Sequence, residues 1–187
     1  MQNKKILLAS VLALVVVVGG WWYLSGNMPE NKTMNSVNNS TLTETEIAGL
    51  MAMREEEKLA HDVYKTLEEK WGTRIFTNIS GSEAVHTRRV KDLLDKYNLP
   101  DPVDDKVNGQ FKNQAVQDLY NLLVAKGETS LVAALEVGVT IEEMDIKDLQ
   151  EKMKETTNQE ILNTYQNLLN GSENHLRAFK SNLEKRN

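Results

Sequence analysis

Residues 43–70 have the sequence TETEIAGLMAMREEEKLAHDVYKTLEEK, whose apolar positions recur with the period of an α-helix. Thr43 and Glu46 form the pattern of a capping box, which predicts that this helix begins near Thr43. When residues are placed at about 100° per step, Glu56 and Glu57 fall within the apolar face. A buried carboxylate is costly unless it is paired or ligated, so this face predicts a functional group as well as a helix.

Composition limits the kind of protein and the kind of site. The chain has 187 residues, of which 22 are basic and 27 acidic, and the net charge of -5 argues against a nucleic-acid partner. The absence of cysteine excludes disulfides, zinc–thiolate sites and iron–sulfur clusters. Any metal must therefore be held by carboxylates, histidines or water.

The N-terminus predicts a membrane anchor. Lys4 and Lys5 precede an apolar run over residues 6–24, which is just long enough to span a bilayer. A cleaved signal peptide is the alternative, but the aromatic residues at 21–23 are typical of a membrane interface and favour an uncleaved anchor. Both interpretations place the remaining chain outside the cytoplasm, in a single-pass membrane protein or, after cleavage, in a secreted one.

We therefore expect three parts: an anchor over residues 1–24, an Asn/Ser/Thr-rich tether over 25–42 and a helical domain over 43–187. The fold class is predicted to be all-α, with an extra short helix and a long crossover at residues 98–112. Asp101, Asp104 and Asp105 in that crossover lack EF-hand spacing and favour a solvated loop. The predicted helices are 43–70, 80–97, 113–125, 129–154 and 158–184.

The second predicted helix, with Ser80 or Ser82 as its N-cap, carries Glu83-Ala84-Val85-His86. Glu83 and His86 are one turn apart on its inward face, an arrangement suited to binding one metal ion. The structural alternative is a buried histidine hydrogen-bonded to a glutamate.

The later helices add further inward-facing polar residues. If the helix over 129–154 is continuous through Gly138, Glu142 and Asp145 lie near the centre of its buried face and Glu143 lies to the side. A break at Gly138 would leave the choice between Glu142 and Glu143 open. His175 is turned inward on the last helix. On the first helix Glu55 and Lys58 are expected to point away from the core, while Tyr64 and Tyr97 face inward as weak catalytic candidates.

These segments resemble a known family. Residues 53–64, with Glu57, Ala60 and Tyr64 in register, look like the first helix of rubrerythrin-type proteins, and Glu83-x-x-His86 looks like their second helix. Residues 141–146 and 172–179 resemble an uncharacterised prokaryotic branch of the ferritin-like superfamily. The resemblance covers residue 43 to the C-terminus. It departs at Ser172, where the second Glu-x-x-His would require a glutamate.

The resemblance implies a ferritin-like four-helix bundle with a pair of iron or manganese ions that reacts with peroxide or oxygen. Glu83 and Glu142 would bridge the ions, and Asp145 would compensate for Ser172. An external electron donor is implied, and such bundles often form homodimers. The alternative is a non-catalytic cell-surface binding module with a structural, degenerate or absent metal site. The expected metal ligands are Glu57, Glu83, His86, Glu142, Asp145 and His175.

Overall fold

The structure is a computed structural model that describes residues 42–186. The predicted anchor over 1–24 and, apart from Leu42, the predicted tether over 25–42 lie outside these residues. In the described range, no helix is both long enough and apolar enough to cross a bilayer.

The described residues are all-α, as predicted, and residues 42–186 contain no strand. The helices begin and end close to the predicted positions, with one exception described below. In chain order they are α1 Glu44–Trp71, α2 Arg74–Lys96, α3 Gln114–Gly127, α4 Leu131–Lys152 and α5 Gln159–Glu184.

Four long helices surround one apolar core, and the shorter α3 packs outside it against α1 and α4. Helix α1 packs along α2 and α4 packs along α5, while contacts of α1 with α4 and of α2 with α5 join the two pairs. Every one of the four contributes to the core, whose buried members are Leu50, Met53, Val90, Leu93, Leu94, Leu149, Ile161, Tyr165, Leu168 and Leu169.

The caps explain where α1 begins and ends. Thr43 Oγ1 accepts a hydrogen bond from the Glu46 amide (3.2 Å) and the Glu46 carboxylate accepts one from the Thr43 amide (2.7 Å), which confirms the capping box. At the other end, Gly72 has a φ of 59° and its amide donates to the Glu68 carbonyl. A left-handed glycine is the usual way to end a helix.

The predicted turn over residues 71–78 and the predicted start of α2 near residue 80 are wrong. Only Gly72 and Thr73 separate α1 from α2, since the left-handed Gly72 reverses the chain within one residue. The N-cap position is Thr73, so neither Ser80 nor Ser82 caps the helix. The added turn places Phe76 in the core, where it is fully buried.

The crossover covers the outer side of α1, which corrects two expectations. Lys58 does not point into solvent but is 1 % exposed, and its ammonium donates to the Val107 carbonyl at 3.0 Å and contacts Asp62. Asp101 and Asp105 are not free loop residues, because both bind Arg54, at 3.1 and 2.6 Å. A charged face that looks solvent-directed in the sequence is thus sealed by the loop.

Candidate metal centre

Five of the six expected ligands lie together between the four long helices. Glu57 comes from α1, Glu83 and His86 come from α2, and α4 and α5 supply Glu142 and His175. None of the five is more than 8 % exposed. Helix α4 is continuous through Gly138, so the projection that favours Glu142 over Glu143 applies, and Glu143 instead pairs with Lys180 at 2.8 Å on the surface.

The five side chains form two groups that share Glu83. In the first group, His86 Nδ1 lies 2.8 Å from Glu83 Oε2 and 3.3 Å from Glu57 Oε2. In the second, His175 Nδ1 lies 2.7 Å from Glu83 Oε1 and 3.7 Å from Glu142 Oε1. Within each group, one donor atom of every residue lies within 4.8 Å of the others. Glu83 thus offers one oxygen to each imidazole.

The alignment of these atoms tests whether the residues fit a metal. His86 Nδ1, His175 Nδ1, Glu57 Oε1 and Glu83 Oε1 are all buried, yet none makes a hydrogen bond of acceptable geometry. The nitrogens and oxygens are close, but they are not aligned with one another. Buried polar atoms without partners are rare and costly. Donors that converge without bonding each other are what a cation would require, so each of the two groups could hold a metal ion.

The carboxyl groups have unequal pKa values. Burial, together with the charge of Glu83, raises the pKa of Glu57 to about 8 and that of Glu142 to about 7. Burial opposes ionisation of Glu83 too, but its contacts with both imidazoles lower its pKa to about 2. The shared carboxylate is therefore the one that is ionised at all ordinary pH values.

The pKa values of both imidazoles are raised, because the effect of the neighbouring carboxylates exceeds that of burial. Burial disfavours their charged form, but the contacts with Glu57 and Glu83 raise the pKa of His86 to about 11. The contacts with Glu142 and Glu83 likewise raise the pKa of His175 to about 9. Both rings are therefore in their charged form at neutral pH. Since a metal binds neutral imidazole, a metal ion that bound these rings would displace a proton from each.

Gly171 on α5 makes room for His86. A Cβ atom at position 171 would lie 2.5 Å from both Cε1 and Nε2 of the His86 ring. The Nε2 side of the ring therefore packs against the backbone of α5, while Nδ1 faces the carboxylates. The sequence marks Gly171 only as a weak point of the helix. Its function in seating the imidazole depends on the packing of α2 against α5.

Only one of the two tyrosine candidates lies at the centre. The hydroxyl of the fully buried Tyr64 donates to Glu142 Oε1 at 2.7 Å, which orients that carboxylate. Tyr97 lies at the end of α2, where its hydroxyl donates to Glu160 at 2.9 Å and accepts from Asn158 at 3.1 Å. The structure does not bring Tyr97 to the candidate ligands.

Asp145, the sixth expected ligand, belongs to neither group of donors. Its Oδ2 accepts a hydrogen bond from Ser172 Oγ, and its Oδ1 is buried without a partner. Burial and the charges of Glu57 and Glu142 raise its pKa well above the usual value. Asp145 thus lies beside the two groups and is bonded by Ser172.

Residues 46–187 match the family described as uncharacterized protein domain DUF2202. The chain belongs to the DUF2202 family. It is 50% identical over 146 residues to the uncharacterized protein MJ0754 of Methanocaldococcus jannaschii, an alignment that covers 78% of this chain and 79% of that one.

The DUF2202 domain described here also resembles a solved structure. It is similar to the crystal structure of hypothetical protein MJ0754 from Methanococcus jannaschii, with a TM-score of 0.77 and 49% sequence identity. The match covers 81% of this chain and 87% of that chain. The helical arrangement is therefore shared by a homologue of known structure.

Proposed function

We propose that this protein is a ferritin-like metalloprotein whose centre binds two iron or manganese ions and reacts with peroxide or oxygen. The observation that carries the proposal is the shared Glu83, which has one oxygen in each of two buried carboxylate–imidazole groups. Carboxylate and imidazole donors suit iron and manganese. Di-metal carboxylate proteins of the four-helix type use the same combination of Glu and Glu-x-x-His.

The residues divide naturally between two positions. Glu57 and His86 would hold one ion and Glu142 and His175 the other, with Glu83 between them. When bound, a redox-active pair would supply the two electrons that, with two protons, reduce hydrogen peroxide to two water molecules. Tyr64 fixes Glu142 by its hydrogen bond, and the closely packed helices exclude bulk water from the centre. Since the chain contains no cysteine, the electrons would come from an external donor.

A non-catalytic module is the second candidate, and Ser172 favours it. A glutamate there would supply a second Glu-x-x-His, whereas Ser172 engages the carboxylate of Asp145. Asp145 is bonded to α5 and belongs to neither group, so the second ion would lack the carboxylate that a glutamate at position 172 would supply. In both proposals the domain lies on the extracytoplasmic side of the cell membrane, held by the N-terminal anchor or released after its cleavage.

Metal content tests the centre. Purified protein freed of metal is equilibrated anaerobically with Fe²⁺ or Mn²⁺, dialysed and analysed by elemental analysis. We expect two ions per chain in the wild type and loss of both in Glu83→Ala, because both groups share that residue. Glu173→Ala is the control, since Glu173 is a glutamate two residues before the candidate ligand His175 on α5 but contributes to neither group. Equal metal content in all three proteins would exclude this site.

Peroxide consumption separates the two candidate functions. Protein loaded with ferrous iron is mixed with a limiting amount of hydrogen peroxide under anaerobic conditions. An oxidoreductase should consume one peroxide per two ferrous ions and recover after addition of a reductant. A loaded protein that leaves peroxide unchanged would support the non-catalytic module.

A further inference from the structure

A surface cleft of about 420 Å³ lies between α1, α2 and the crossover. Its lining includes His61 and Asp62 of α1, Thr87, Arg88 and Lys91 of α2, and Asp105 of the crossover. None of its lining residues belongs to either group that shares Glu83, so the cleft is distinct from the candidate metal centre. A volume of this size is within the range of sites that bind small molecules.

The two acids of the cleft are already matched by buried cations behind them. Asp62 contacts the ammonium of Lys58 and accepts the amide hydrogen of Gly109 at 2.8 Å. Asp105 pairs with Arg54 at 2.6 Å. Lys58 and Arg54 are 1 % and 0 % exposed, so both are held within the fold. This wall of the cleft is therefore ordered before any ligand arrives, which lowers the entropic cost of binding.

His61 is the one histidine of the chain outside the candidate metal centre, and it lines the cleft. Its Nδ1 lies 2.8 Å from Oδ1 of Asp62. Because a carboxylate bonded by a lysine and an amide is ionised and can only accept, Nδ1 must carry the hydrogen. The neutral ring then has its lone pair on Nε2, which has no hydrogen-bond partner within residues 42–186. The imidazole thus offers an oriented acceptor to the cleft.

Arg88 adds a positive charge without a carboxylate partner. Its guanidinium contacts the Ala84 carbonyl of its own helix at 3.5 Å, and it forms no ion pair with another of residues 42–186. Lys91 is paired with Asp95 at 2.6 Å, but that pair is exposed and opens at little cost. A planar guanidinium binds a carboxylate through two parallel hydrogen bonds. The cleft therefore combines cations for an acid with an acceptor for a hydroxyl group.

We propose that this cleft binds a small hydroxy acid, whose carboxylate pairs with Arg88 and whose hydroxyl donates to Nε2 of His61. Lys91 would pair with a second carboxylate, so a hydroxy dicarboxylate is the class that uses all three side chains. The inference does not depend on metal binding, because no residue of the cleft is a candidate metal ligand.

L-Malate and succinate are a matched pair of probes, since they differ only by one hydroxyl group. Each is titrated into the full-length, metal-free protein, because hydroxy acids also chelate metal ions. Two-dimensional NMR spectra of nitrogen-labelled protein follow the backbone amides of residues 84–91. We expect both acids to shift these amides and L-malate to bind about tenfold more tightly, which is the contribution of one hydrogen bond.

Two variants test the two contacts separately. Arg88→Gln removes the cation and should weaken binding of both acids by about tenfold or more. Arg89→Gln is the matched control, since Arg89 is the adjacent exposed arginine and does not line the cleft. His61→Asn keeps a donor for Asp62 but lacks Nε2, so L-malate should then bind no better than succinate.

Several outcomes would overturn the assignment. These are equal binding by Arg88→Gln and Arg89→Gln, no preference of the wild type for L-malate, and amide shifts confined to residues outside the cleft. Inorganic phosphate that bound as tightly as L-malate would indicate a site for any anion and would also overturn it. The metal content of the wild type has no bearing on these results, so they are independent of the proposed function.

Discussion

Helix α1 carries buried charges on two of its sides, and the two regions differ in how those charges are matched. Beneath the crossover, the terminal nitrogens of Arg54 bind Thr87, Asp101 and Asp105, and Lys58 binds Asp62. Between the helices, Glu57 belongs to a centre in which several buried oxygens and nitrogens lack aligned partners. We call the first region the crossover network and the second the candidate metal centre.

The difference between the two regions shows how a buried charge with a structural role can be distinguished from one that could bind a ligand. In the crossover network each cation has an anionic partner from the same chain, so nothing further is needed to offset its desolvation. In the candidate metal centre three carboxyl groups surround two imidazoles, and their donor atoms converge without bonding one another. Such unaligned donors could bind a cation, whereas the matched pairs of the crossover network leave no donor atoms for one.

The largest expected difference is in stability, between a substitution in the crossover network and one in the candidate metal centre. Asp62→Ala leaves Lys58 buried without its carboxylate, so we expect a loss of about 3 kcal/mol of unfolding free energy, with or without Mn²⁺. Glu57→Gln should change the metal-free stability by less than about 1 kcal/mol at pH 6, because the amide resembles the protonated acid that Glu57 is below its pKa of about 8.

Urea denaturation in the presence and absence of Mn²⁺ measures both effects. Wild type and Asp62→Ala should gain stability from Mn²⁺ by mass action, and Glu57→Gln should gain much less. If Asp62→Ala lost its response to Mn²⁺ and Glu57→Gln kept it, the assignment of metal binding to the second region would be wrong.

A smaller effect is expected from pH on the metal-free protein. Glu57, Glu142 and His175 have raised pKa values, about 8, 7 and 9, so the folded chain binds more protons than the unfolded chain as pH rises from about 5 to 9. His86, whose pKa is raised to about 11, acts in the same direction above its usual pKa, so stability should fall over that range by several kcal/mol. Glu83, with its pKa of about 2, acts oppositely, and its contribution is lost only as pH falls below about 4.5 towards 2.

Denaturation at pH 5, 7 and 9 gives the slope. The double variant Glu57→Gln, Glu142→Gln removes two of the titrating groups and should flatten it. Saturating Mn²⁺ should add more stability at pH 9 than at pH 5, since metal competes with protons for the imidazoles. A metal-free protein that becomes more stable from pH 5 to 9 would contradict the protonation states derived for the centre.

The smallest expected effect is on Mn²⁺ affinity, and it distinguishes a general change in helix packing from a shift of the His86 ring. Gly171→Ala would crowd the His86 ring, and Gly138→Ala would crowd the Phe179 ring at the same distance of 2.5 Å. Both glycines are inside helices, so the change in helix propensity is the same. We expect Gly171→Ala alone to weaken Mn²⁺ binding, by about tenfold or 1.4 kcal/mol.

Isothermal titration calorimetry at pH 7 would measure this difference. Gly81→Ala, where nothing lies within 4 Å of the added carbon, is the control for propensity alone. Equal affinities in Gly171→Ala and Gly138→Ala would show that the backbone of α5 does not position His86.

The helices and the inward direction of most candidate ligands could be predicted because both depend on local pattern. The period of α4 favoured Glu142 over Glu143, and the structure buries the first and exposes the second. The start of α2 could not be predicted in the same way, since Gly72 reverses the chain in a single left-handed residue where a longer turn was expected. Tyr97 faces inward by periodicity, but its distance along α2 separates it from the centre.

The sequence by itself determined which side of each helix is apolar and which carboxylates and imidazoles that side carries, because an α-helix places its residues at a constant angle about its own axis. Only the tertiary structure decided that Glu83 lies between two imidazoles from different helices, that Asp145 turns to Ser172, and that Lys58 is sealed beneath the crossover. The physical reason is that the helical period specifies direction around one axis, whereas the identity of the neighbouring group depends on how the helices pack and where the loop crosses them.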